Sequence, residues 1–172
     1  MQLFACCADS FGGVALFARM RWVSAVCFVG VIAALSAGSV GAASHQTRCT
    51  PTANDGGGPN RGSPPLRAKI GTGHVLTGVV LSPSCAPVAG ARVSFWQSNA
   101  RGVYTPAGSG AVDTTQSGRF RFEGPRPRAY NGRPAHIHIK VEAPGFEPLY
   151  TEYEPGGARR GNVRLVLFPS GL

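Results

Sequence analysis

The residues best suited to chemistry are His136 and His138, set in the string Arg133-Pro134-Ala135-His136-Ile137-His138-Ile139-Lys140-Val141. Apolar residues at 137, 139 and 141 predict a β-strand over this whole string, with side chains alternating between faces. His136 and His138 then share one face. Two imidazoles side by side on a stiff element make half of a metal site. Another ligand type must complete it, because His45 and His74 belong to other segments. No carboxylate is spaced with the histidines as in two-His-one-carboxylate Fe(II) centres, and no Cys₂His₂ spacing suggests structural zinc.

Tyrosine is the ligand type to weigh next. The chain has four: Tyr104, Tyr130, Tyr150 and Tyr153. A phenol titrates at about 10. Only a strongly Lewis-acidic cation holds it as phenolate near neutral pH. Two phenolates with two imidazoles suit trivalent iron, because hard anionic oxygen stabilises the higher oxidation state; a zinc or copper centre is the other reading. Tyr130 stands six residues before His136, in a Pro/Arg/Gly loop that can fold back beside it. Tyr150 and Tyr153 read as strand-face residues, Trp96 as core, His74 as a strand-end histidine at the surface or hydrogen-bonded, and Arg159-Arg160 as a solvated turn.

The elements that must position these groups are short strands. Gly 24 and Pro 14 are high in 172 residues, and only 15% are charged. Alternating runs fall at His74 to Leu81, Ala91 to Gln97, Arg119 to Glu123, the histidine string, Pro148 to Glu154 as an edge strand, and Asn162 to Phe168. Val103-Tyr104 adds a short piece. Turn residues separate them, and no stretch reads as an amphipathic helix. The expected fold is all-β: an antiparallel β-sandwich of seven to eight short strands in residues 70–172, with an irregular arm over 44–69 lying across it. The net charge of +9 is scattered rather than clustered. That argues against nucleic acid as a partner and fits attraction of anionic substrates or surfaces.

Upstream, residues 1–43 read as an extension followed by a secretory signal peptide. Translation is expected to start at Met20. Met-Arg-Trp supplies a positive n-region, Val23 to Leu35 an apolar run, and Ser36 to Ala43 a small-residue cleavage zone. The protein is thus expected to be exported, periplasmic or secreted. The alternative is a membrane anchor over residues 22–44. Cys6, Cys7 and Cys27 fall in the discarded part, and Cys49 and Cys85 remain. Two cysteines in an exported domain are expected to pair as a disulfide tying the arm to the first hairpin.

From about Cys49 to Leu167 the chain resembles the intradiol ring-cleavage dioxygenases, the family of catechol and protocatechuate 3,4-dioxygenases, and within it their compact exported branch. The resemblance rests on Leu76-Thr77-Gly78-Val79-Val80, Pro87-Val88-Ala89-Gly90-Ala91, Trp96-Gln97 with Gly102-Val103-Tyr104, Gly118-Arg119-Phe120-Arg121-Phe122, Tyr130-Asn131-Gly132-Arg133-Pro134-Ala135-His136-Ile137-His138 and Pro144-Gly145-Phe146. It implies a mononuclear non-haem Fe(III) site held by Tyr104, Tyr130, His136 and His138. It also implies that Arg133 steadies negative charge on the substrate and that Tyr130 leaves the metal to act as base. The implied reaction is cleavage of a catechol-type ring by O₂ between its two hydroxylated carbons, giving a muconate-type product. Three positions depart from the family pattern. Gly58-Pro59-Asn60-Arg61 stands where the family has an aromatic wall, Ser94 where it has an acid, and Glu152 where it has a neutral amide. A non-catalytic β-sandwich binding module of the same fold is the alternative function, and the oligomeric state is left open.

Overall fold

A computed structural model describes residues 48–55 and 62–171 of the chain. The extension and signal segment read at 1–43, His45 and the Gly58-Pro59-Asn60-Arg61 departure lie outside the described residues. Those described contain seven strands and no helix: β1 (His74–Leu81), β2 (Arg92–Ser98), β3 (Tyr104–Asp113), β4 (Arg119–Gly124), β5 (Ile137–Glu142), β6 (Leu149–Tyr153) and β7 (Arg160–Val166). They form two sheets, ordered β4-β1-β7 and β3-β2-β5-β6. All pairs are antiparallel except β1 with β7, which is parallel.

Alternation builds the core. In β4, Phe120 and Phe122 turn inward while Arg119 and Arg121 face solvent. They meet Leu76 and Val80 of β1 and Leu165 of β7 from their own sheet, and Val93, Phe95, Ile137, Ile139 and Val141 from the other. The rings of Phe95 and Phe122 stack across the two sheets at 4.3 Å between centroids. Gly78 is required by this packing: an added Cβ would come 2.5 Å from the Phe120 ring and 2.7 Å from the Val163 carbonyl.

The arm does more than cover the domain. A sandwich of two open sheets has four exposed edges, each a row of unpaired N–H and C=O groups. Here the edges are β4, β7, β3 and β6. The Thr52 N–H donates to Val166 in β7, and the Asp55 N–H to Tyr150 in β6. Further on, Pro65 and Arg67 exchange hydrogen bonds with Ala111 in β3, while Ala68 and Ile70 do so with Glu123 in β4. The arm thus meets all four edges. Cys49 and Cys85 are disulfide-bonded, fastening the start of the described arm to the β1–β2 connection.

Two strand expectations are corrected. β5 starts at Ile137, so Arg133–His136 precede the strand. Pro134 has no N–H to give a ladder, which moves the start downstream. β3 runs to Asp113 rather than stopping at Tyr104. Its Gly108 and Gly110 hide the alternation, and both are needed. A Cβ there would meet the Gln97 carbonyl at 2.6 Å and the arm's Arg67 carbonyl at 2.4 Å.

Candidate metal centre

The histidine pair lies on the outer face of the four-stranded sheet. Ile137, Ile139 and Val141 are committed to the core, so His138 must point the other way. Its cross-strand partners are Trp96 on β2 and Glu152 on β6. His136 and His138 are 2% and 4% exposed. Nδ1 of His136 lies 2.7 Å from the Pro134 carbonyl, which can only accept, so Nδ1 carries the proton. In the neutral ring the lone pair is then on Nε2, which faces Nε2 of His138 at 3.2 Å.

Tyr104 and Tyr130 arrive on two turns. Asn99 shapes the first: its Oδ1 accepts from the N–H groups of Arg101 and Val103, and its own N–H donates to the Val103 carbonyl. Gly102 closes that turn at φ +74°. Tyr104 follows as the first residue of β3, opposite Ser98 and beyond an irregularity in the β2–β3 register. The second turn is Tyr130-Asn131-Gly132-Arg133. Tyr130 and Arg133 exchange N–H···O=C hydrogen bonds, and Asn131 and Gly132 both have positive φ, the mark of a tight two-residue hairpin turn. Residues directly opposite in such a pair project to the same side, so one turn presents both the phenol and the guanidinium. Tyr130 is therefore held in a defined turn within the Pro/Arg/Gly loop read from the sequence.

The four side chains converge. The Tyr104 hydroxyl is 2.6 Å from that of Tyr130, 2.8 Å from His138 Nε2 and 3.2 Å from His136 Nε2. One ion bonded to N and O donors at about 2.0–2.2 Å sets adjacent donors about 3.0–3.4 Å apart. The two 3.2 Å spacings fall in that range, while those of 2.6 and 2.8 Å are hydrogen-bond contacts a little shorter than it; two phenol oxygens and two imidazole nitrogens gathered this closely are a donor set a cation could take. Burial, followed by the hydrogen bond to Tyr130, raises the Tyr104 phenol above its ordinary value. Burial lowers His138, against an opposing pull from Glu152. The surroundings thus favour neutral phenol and neutral imidazole. A highly charged Lewis acid is what would bind Tyr104 as phenolate.

Glu152 is the residue that sequence spacing alone missed as a neighbour of the histidines. Its Oε2 is 2.5 Å from Nη2 of Arg133 and its Oε1 is 3.1 Å from Nδ1 of His138. The second contact is within ion-pair range but off hydrogen-bond alignment, so Nδ1 of His138 is buried without an aligned acceptor. His136, His138 and Glu152 form a His/Glu group with ligand atoms within 4.8 Å. Only the sheet register reveals this carboxylate, because Glu152 is fourteen residues from His138 but directly opposite it. Other residues stay out. His74 is buried, its Nδ1 on the Ala158 carbonyl, and it packs against Tyr153. Tyr153 lies over Gly161, and Trp96 is buried as expected. The clefts of about 620 Å³ beside Gln97 and about 710 Å³ beside Phe146 include none of the four donors.

No family model matches the chain. It is 32% identical over 108 residues to hydroxyquinol 1,2-dioxygenase of Rhizobium sp. strain MTP-10005, covering 47% of this chain and 37% of that protein. To chlorocatechol 1,2-dioxygenase of Pseudomonas putida it is 30% identical over 105 residues, covering 46% and 40%. It therefore spans well under half the length of these relatives. The dioxygenase domain of a dioxygenase carbohydrate-binding protein fusion from Streptomyces sp. SirexAA-E superposes at a TM-score of 0.61 with 26% identity, covering 70% of this chain and all of that one. With the shared sandwich and the aligned sequence together, the chain is similar in both sequence and fold to the catechol-type 1,2-dioxygenases.

Proposed function

We propose that the protein is a non-haem Fe(III) intradiol dioxygenase that cleaves a catechol-type ring with O₂ between its two hydroxylated carbons, to a muconate-type product. The observation that supports it most is the convergence of two phenols and two imidazoles, with His136 Nδ1 committed to a backbone carbonyl and its Nε2 turned inward. Tyr104, Tyr130, His136 and His138 would hold the iron. Bound there, iron supplies the electronic coupling that lets the catechol ring react with O₂.

The chain's own residues prepare and steer that reaction. His136 and His138 are buried and held by the backbone and the sheet, so they orient without reacting. Tyr104 starts a paired strand and stays put. Tyr130 sits on a two-residue turn at the surface, the position from which a ligand can withdraw. Its phenolate oxygen is the group to accept a proton from the incoming catechol. Arg133, on the same side of the same turn, would stand beside the bound ring with its guanidinium held by Glu152. We also propose export, with translation from Met20 and cleavage after the small-residue zone, on the sequence pattern of 20–43.

The test is a visible spectrum and oxygen uptake on iron-loaded protein. The expected result is a tyrosinate-to-Fe(III) band that shifts on adding catechol, with equimolar consumption of O₂ and catechol. Colourless iron-loaded protein with no oxygen uptake would overturn the proposal.

A further inference from the structure

Arg133 stands beside the donor cluster and acts on Tyr104, yet it does not present a free positive charge. Its guanidinium is paired with Glu152, whose other oxygen faces the ring of His138. The two partners differ in exposure: the Arg133 side chain is 47% exposed and that of Glu152 only 19%. The carboxylate is the more enclosed of the two, so solvent screens it less. Asp55, on the arm segment hydrogen-bonded to β6, adds a second negative charge within electrostatic range of His138. Among the described residues, the side-chain charges that act on the phenol and imidazole donors are thus one guanidinium and two carboxylates, on a chain whose net charge is +9.

We infer that Glu152 is a specificity-determining residue: by occupying Arg133, it makes the site select catechols with neutral or cationic substituents and reject those bearing a carboxylate. This rests on the catechol-cleaving reading above. A catechol ring over the donor cluster places any substituent within a Debye length, about 8 Å at physiological salt, of both Arg133 and Glu152. A substrate carboxylate cannot take Arg133 without displacing Glu152, and then stands beside it as a like charge. A neutral substituent meets a neutralised pair, and an ammonium group meets an excess of carboxylate.

The experiment compares three catechols differing in the 4-substituent: 3,4-dihydroxybenzoate, 4-methylcatechol and 4-(2-aminoethyl)catechol. Binding to iron-loaded protein is followed by calorimetry and turnover by oxygen uptake, for the parent and for Glu152→Gln. Glutamine keeps the shape and removes the charge. Using the ratio between two substrates cancels any change in how His138 is held, because both substrates use the same ligands. The expected ratio for 4-methylcatechol over 3,4-dihydroxybenzoate is about tenfold or more in the parent, carried in KM and in binding. It falls toward unity in E152Q, and it shrinks with added salt in the parent. An equal or better response to the carboxylated substrate in the parent, or a ratio unchanged in E152Q, overturns the inference while leaving the dioxygenase reading intact. If no catechol binds or is turned over, both fall together.

Discussion

At the residue scale, the four donors divide by what holds them. His136 and His138 are fixed by burial and by sheet alternation, while the tyrosines are fixed by turns. Each arrangement has its own consequence. Removing both phenols, Tyr104→Phe with Tyr130→Phe, should abolish the charge-transfer colour of iron-loaded protein. Colour surviving in that double variant would mean that the phenols are not ligands. Tyr130→Phe alone should lower kcat by about 10²-fold or more, since it removes the group placed to take the catechol proton. A stopped-flow or oxygen-electrode comparison reads this directly. His138 also makes a pH prediction for metal-free protein. Burial holds its folded-state value below that of the unfolded chain. Protons therefore bind the unfolded chain first, and stability present above about 6.5 is lost as pH falls through that value. Melting temperature should drop between pH 7 and pH 5, and His138→Gln should flatten the profile.

At the element scale, the two turns and one bulged hairpin decide where the phenols meet. Gly102 serves twice: its φ is +74°, and a Cβ added there would come 2.9 Å from the Cβ of Tyr130. Gly102→Ala should therefore misplace Tyr130 and weaken iron retention, while leaving the sheets paired. A far-UV spectrum like that of the parent, with a diminished visible band after gel filtration, is the expected pair of results. Asn131-Gly132 sets the second turn in the same way, since both positions need positive φ, which asparagine and glycine adopt most readily. The register of β5 with β6 completes the site by bringing Glu152 opposite His138. A one-residue slip of β6 would send Glu152 to the core face and leave Arg133 unpaired.

At the scale of the whole molecule, an irregular arm closes a small sandwich. It satisfies backbone groups on all four sheet edges, which strands of five to ten residues could not cover by themselves. The Cys49–Cys85 disulfide anchors the arm where its described part begins. Replacing both cysteines with serine should cost about 2–4 kcal/mol of stability, read by denaturant unfolding of the oxidised parent against the variant. Because the arm pairs with β6 beside Glu152, that loosening should also reach the site and reduce iron retention. Loss of stability with unchanged iron retention would separate the arm's structural role from any support of the centre.

The sequence by itself determined the element types, the core-facing residues and the two histidines. Alternation is local: Phe120 and Phe122, or Ile137 and Ile139, declare their face within a few residues. The Arg-Pro-Ala-His-Ile-His string and its companions also carried the family resemblance. Three features escaped local reading. β3 was hidden by glycines whose reason is a crossing arm and a neighbouring strand. The single parallel pair, β1 with β7, joins segments nearly ninety residues apart. Glu152 looked like a changed amide, but tertiary structure made it the carboxylate shared by His138 and Arg133. Side-chain periodicity is written along the chain, whereas cross-strand neighbours depend on register, and register is settled only when the sheets pack.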